Sequence, residues 1–138
     1  MARNTARPKA PHLFTGPFQI HYRWGAHMTV SILNRMMGIG LATVGTAALT
    51  WWLVALASGP EAYKTFMDIA TGWVGLVVMI GLSFAFFLHL CAGLRHFVMD
   101  TGAGFELKTN QNWAWATMIG AVMLTIILWM AIYWKEFF

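Results

Sequence analysis

Charge is what this sequence lacks most: of 138 residues only 10% are charged, and acidic residues are the scarcer sign, five against nine Lys and Arg. No acidic residue precedes Glu61. The single cysteine, Cys91, excludes a disulfide framework and a Cys-x-x-Cys metal motif. Proline is confined to positions 8, 11, 17 and 60, so from residue 61 to the end no proline would break a helix. The formal charge of +4 does not make a nucleic-acid surface, because five of the nine basic residues (Arg3, Arg7, Lys9, Arg23 and Arg35) lie at or before the start of the first apolar run.

What is present is apolar length. Hydrophobic residues make up 59% of the chain and mean hydropathy is +0.60, well above the usual soluble domain. Three uncharged runs, Met36 to Pro60, Ile69 to Leu94 and Thr109 to Trp134, each exceed the twenty or so residues that cross a bilayer as a helix. Since backbone polar groups in lipid must be satisfied within the segment, the expected fold is an all-α membrane protein with three transmembrane helices, up-down-up. The helices are expected over 28–58, 67–98 and 113–134, preceded by an interfacial segment over 1–27. Basic residues before the first run put the amino terminus on the cytoplasmic side. Residues 59–68 are expected as a connection on the far side.

The first 27 residues have no apolar stretch of the kind a cleaved secretory signal requires. Prolines and Gly16 argue against a continuous helix there, while Phe14, Phe18, Ile20, Tyr22 and Trp24 suit a bilayer surface or a partner. Trp113 and Trp115, with Trp129 and Trp134, are expected to anchor the two ends of the third helix.

Candidate functional residues gather where the first helix begins and the second ends. Ser31 and Arg35 are four apart and share a face, with Asn34 beside them. Gly38, Ala42 and Gly45 continue that stripe with small side chains, ordinary for close helix packing. His89 lies in the second run about 9 Å of axial rise from its charged end, and His96 falls seven residues later on the same face. Gly93, one turn after His89, leaves room there. An intramembrane histidine can serve as a haem ligand, as a hydrogen-bonded structural residue, or in a proton path, and spacing alone leaves all three open. As a seat for haem b, iron would lie on His89 with propionates toward Arg35 and His96. His12, His21 and His27 give no ligand pair inside the membrane, so a second axial ligand would come from another subunit.

Three motifs, Arg7-Pro-Lys-Ala-Pro-His-Leu13, Ser31-Ile-Leu-Asn-Arg-Met-Met-Gly38 and His89-x-x-x-Gly93-x-Arg95-His96-x-x-x-Asp100, resemble in order and separation the cytochrome b membrane-anchor subunit family of succinate dehydrogenase. The resemblance covers nearly the whole chain. It implies that His89 ligates haem b, with the other axial histidine on a second small anchor subunit. It also implies that Ser31 and Arg35 line the ubiquinone site, and that His96 lies near the propionates. The expected complex includes a flavoprotein that oxidises succinate and an iron-sulfur protein that relays electrons to ubiquinone, so this chain carries no dicarboxylate chemistry of its own. The bacterial inner membrane is expected rather than the mitochondrial one. A quinol-fumarate reductase anchor and a haem-free docking subunit are the alternatives.

Two departures from the family pattern stand out. Asn34 occupies the place of a histidine in the family's Ser-x-x-His-Arg, and an amide contributes only neutral hydrogen bonds. Phe14 to Phe18 look like an insertion before Gln19-Ile20-His21-Tyr22.

Overall fold

The computed structural model describes the backbone of residues 14–16, 19–20 and 25–137, with side chains over 25–134. The expectations for Arg3, Arg7, Lys9, His12, His21 and Arg23 lie outside those residues. Two short strands, β1 (Phe14–Gly16) and β2 (Gln19–Ile20), pair antiparallel with Phe14 opposite Ile20. Of the expected insertion, Phe14–Gly16 form β1, while Pro17 and Phe18, like Tyr22 and Trp24, lie outside the described residues.

Three helices are long and apolar enough to cross a membrane, Ala26–Ser58, Trp73–Asp100 and Leu107–Trp134. The first is built from α1 (Ala26–Gly40), a wider π turn over Leu41–Gly45, and α2 (Thr46–Ser58). It ends at Gly59, whose φ of 109° is open to glycine and strained for other residues. The second long helix, α4, spans Trp73–Asp100, and the third, α5, spans Leu107–Phe137.

Between α2 and α4 the chain differs from the expected connection. Residues Pro60–Ala70 form a helix of their own, α3, so the spanning helix starts at Trp73 and not near 67. The Gly59-Pro60 pair that reads as a stop is also a start: proline at the first helical position loses no bond, and Glu61 faces the positive helix end. Phe66 is buried and meets Trp51 of α2 edge-on, with ring centroids 5.0 Å apart. The break to α4 comes at Thr71 and the extended Gly72. Gly75 permits that tight passage, because a Cβ there would fall 2.1 Å from the Ile69 carbonyl oxygen. At the other end α5 begins at Leu107, which shortens the expected loop and draws Asn110 into a helix.

Neighbouring long helices run antiparallel. Gly38 and Gly45 of α1 and its π turn meet His89 and Leu82 of α4, while Gly120 of α5 meets Cys91. Where all three converge, Val30, Ala92 and Ala114 are fully buried, with Ala26 and Met118 packed on them. Alanines at the contact let the backbones come close, which is how helices associate when lipid offers no hydrophobic driving force. Thr117 and Thr125 are buried too, their hydroxyls donating to the carbonyls of Trp113 (2.8 Å) and Ala121 (2.7 Å). Most other large apolar side chains face outward, as a surface wetted by lipid or by partner helices requires.

Candidate functional site

The amino-terminal turns of α1, the carboxyl-terminal turns of α4 and the start of α5 meet at one end of the bundle. Ser31, Asn34 and Arg35 reach this end from α1, and His89, Arg95 and His96 from α4. The expected convergence of the first and second helices is therefore present in the packing.

His89 presents its imidazole on the outer side of α4, with one edge against Gly38. A Cβ on that glycine would lie 3.3 Å from Cε1 and 3.4 Å from Nδ1 of the ring. Glycine is thus what lets this edge of the ring approach α1. Among the described residues none offers this ring a hydrogen bond, a costly state for a polar group at membrane depth unless something outside the chain supplies one. Gly93, one turn further, has nothing within 4 Å of where a Cβ would stand. The face that carries His89 is consequently open for a flat group.

Ser31 is distinctive among the hydroxyl residues. Thr43, Ser58, Ser83, Thr117 and Thr125 all donate to a carbonyl four residues back, the ordinary way a hydroxyl is satisfied in an apolar helix. Ser31 makes no such bond among the described residues, so its hydroxyl is available. Arg35 is exposed on the adjoining face, and the buried Oδ1 of Asn34 has no hydrogen-bond partner. His96 is exposed, and its Nδ1 donates to the Ala92 carbonyl at 2.6 Å. That bond fixes the tautomer in the neutral ring and leaves Nε2 facing outward as an acceptor.

Arg95 turns the other way. It is only 6% exposed, and its Nη2 donates to Asn110 Oδ1 of α5, while its Nε is buried without a partner. Arg95 therefore ties α4 to α5 behind the open face and does not stand on it with His96. Asn110 is a residue that sequence reasoning missed, having been read as loop. The signal was the charge itself, since a guanidinium closing a membrane helix needs an acceptor.

A cavity of about 580 Å³ lies at the opposite end, lined by Leu49, Trp52, Phe66, Leu76 and Trp129. Its lining includes Gly45 but not Ser31, Asn34, Arg35, His89, Arg95 or His96. Among the described residues no three His, Cys, Asp or Glu side chains converge as a metal site.

Comparison with known proteins decides the family. The family model for the succinate dehydrogenase/fumarate reductase transmembrane subunit matches residues 3–128. The chain belongs to this family. Within it, the chain is 34% identical over 121 residues to the succinate dehydrogenase cytochrome b556 subunit of Paracoccus denitrificans, covering 88% of each. It is 32% identical over 123 residues to the cytochrome b556 subunit of Rickettsia conorii, covering 89% of this chain and 90% of the relative. A more distant relative, the cytochrome b560 subunit of Reclinomonas americana, is 28% identical over 132 residues. The three membrane-length helices agree with a transmembrane subunit.

Proposed function

We propose that this chain is the cytochrome b anchor of a succinate dehydrogenase complex, holding haem b through His89 and contributing Ser31 and Arg35 to a ubiquinone-reduction site. The observation that carries this reading is the His89 ring, set against Gly38 at the open face and without a hydrogen-bond partner among the described residues. The site residues fit the group. One imidazole nitrogen is available to an iron, Gly93 leaves space beside it, and cationic or hydrogen-bonding side chains stand toward the helix ends. When bound, haem b supplies a one-electron carrier. The names of the relatives, cytochrome b556, support its presence here.

The chain's own residues then have separable tasks. His89 would hold the haem iron together with a residue of a second small anchor subunit. Arg35 would meet the propionates, as would His96 when its Nε2 also carries a proton, and Asn34 would add a neutral hydrogen bond. The Ser31 hydroxyl, unspent within its helix, donates to a quinone carbonyl. Arg35 lies one turn further on, where its fixed positive charge stabilises the negative charge that develops on the quinone oxygen. Flavoprotein and iron-sulfur subunits dock at this end, which we place on the cytoplasmic side of a bacterial inner membrane from the basic residues before α1.

The test compares two activities of the assembled complex. Arg35→Ala is expected to lower succinate:ubiquinone reduction by about 10- to 100-fold, the loss of one charge-assisted contact, while succinate oxidation by a soluble dye continues. Equal quinone reduction in variant and parent would remove Arg35 from the site.

A further inference from the structure

One titratable group at the functional end has no task in the account so far. His27 sits in the first turn of α1, one turn before Ser31. Its ring folds back over Gly25, where a Cβ would come within 2.6 Å of Cε1 and 2.8 Å of Nδ1. Its Nδ1 is buried, with no hydrogen-bond partner among the described residues. At 100° per residue, positions 27, 31, 34 and 38 of α1 fall within about 60° of arc, so His27, Ser31, Asn34 and Gly38 form one stripe. That stripe carries a second buried, unpartnered polar atom, Asn34 Oδ1, and ends on the His89 ring. Two orphaned polar atoms flanking an unspent hydroxyl mark a place where a polar ligand or its waters belong.

We infer that His27 is a further catalytic residue for quinone reduction, delivering one of the two protons to the reduced quinone bound at Ser31 and Arg35. This rests on the quinone site proposed above. Reduction of a quinone to a quinol consumes two electrons and two protons. Arginine stays charged under all ordinary conditions and a serine hydroxyl is too weak an acid, so neither can serve as the source. Imidazole is the side chain that exchanges a proton near neutral pH; the His27 Cβ stands about 5–6 Å from that of Ser31, one turn on, and because the ring folds back over Gly25 the transfer runs through water.

The step balances: an N–H bond of the imidazolium breaks, and an O–H bond forms on the quinone oxygen beside Ser31. The electrons come from the iron-sulfur subunit. Water at the helix end then returns a proton to the neutral ring. Among the described residues, the other charged and titratable groups at this end are Arg35 on the same helix, His89, Arg95, His96 and Asp100 on α4, and Glu106 and Lys108 at the start of α5. Of these, Arg95 is bonded to Asn110 and His96 has Nδ1 committed to the Ala92 carbonyl.

The experiment uses the intact complex, with ubiquinone reduction and dye-linked succinate oxidation measured across pH. His27→Ala is expected to lower kcat for quinone by about 100-fold. The quinone KM should stay within about twofold and the dye rate unchanged, and added imidazole should restore part of the quinone rate. Should His27→Ala fail to assemble, His27→Gln, which keeps a polar side chain of similar reach, is read in its place. Gly25→Ala, which displaces the ring without removing it, is expected to reproduce the loss. A quinone rate within twofold of the parent in His27→Ala or His27→Gln, at every pH, would overturn the assignment. If that occurs while Arg35→Ala still impairs quinone reduction, only His27 is withdrawn; if Arg35→Ala is also silent, the site itself is misplaced.

Discussion

Substituting Gly38 separates the stability of α1 from the function of the ring laid upon it. Alanine is the better helix former by about 0.8–1 kcal/mol, so on propensity alone Gly38→Ala should stabilise this helix. Its new Cβ would stand 3.3 and 3.4 Å from two atoms of His89, inside the 3.5–4.0 Å of an ordinary carbon contact. The ring must then retreat by a few tenths of an ångström, while an axial nitrogen tolerates little displacement from iron. Gly38→Leu carries the side chain further into the ring's volume, and overpacking of this kind costs about 1–3 kcal/mol. Taken from haem affinity, about 2 kcal/mol is roughly a 30-fold weakening. The assay is haem content per purified complex, with the reduced-minus-oxidised spectrum and midpoint potential. Gly38→Ala is expected to keep haem with a shifted potential, and Gly38→Leu to lose most of it. Gly40→Leu on the same helix, where nothing lies within 4 Å, is the control and should retain haem. Full haem content and an unshifted spectrum in Gly38→Leu would refute the argument that His89 is held by this contact.

Further outcomes follow from the same geometry. Among the described residues nothing lies within 4 Å of a Cβ added at Gly93, so the fold should survive Gly93→Leu while haem is lost; unaltered haem content would mean that nothing flat occupies that face. Asn110→Ala strands the buried Arg95 guanidinium, and with a charge-assisted bond worth about 1.5–3 kcal/mol it should lower the thermal midpoint of the solubilised complex more than Asn112→Ala on the exposed face. Equal midpoints for the two variants would sink the α4–α5 tie.

Much of the fold could be read from charge alone. Three uncharged runs became three long helices, because in lipid the length of such a run is nearly a structural statement. Helix ends were harder. Gly59-Pro60 stops one helix and starts another, and uncharged length says nothing about the short α3, whose Phe66 meets Trp51 edge-on. The functional end was legible where side chains share one helix, as Ser31, Asn34 and Arg35 do. The meeting of His89 with Gly38 depends on how two helices register, and the inward turn of Arg95 on a partner in a third. Neither is encoded in the periodicity of a single helix.

The most direct measurement is the low-temperature optical and electron paramagnetic spectrum of the gently solubilised complex, parent against His89→Ala. The account expects a low-spin haem b with two imidazole ligands in the parent, and its loss or conversion to a high-spin form in the variant, with the other subunits still bound. An identical low-spin signal in both would contradict it, since the ring on Gly38 would then be a structural group and the iron would belong elsewhere.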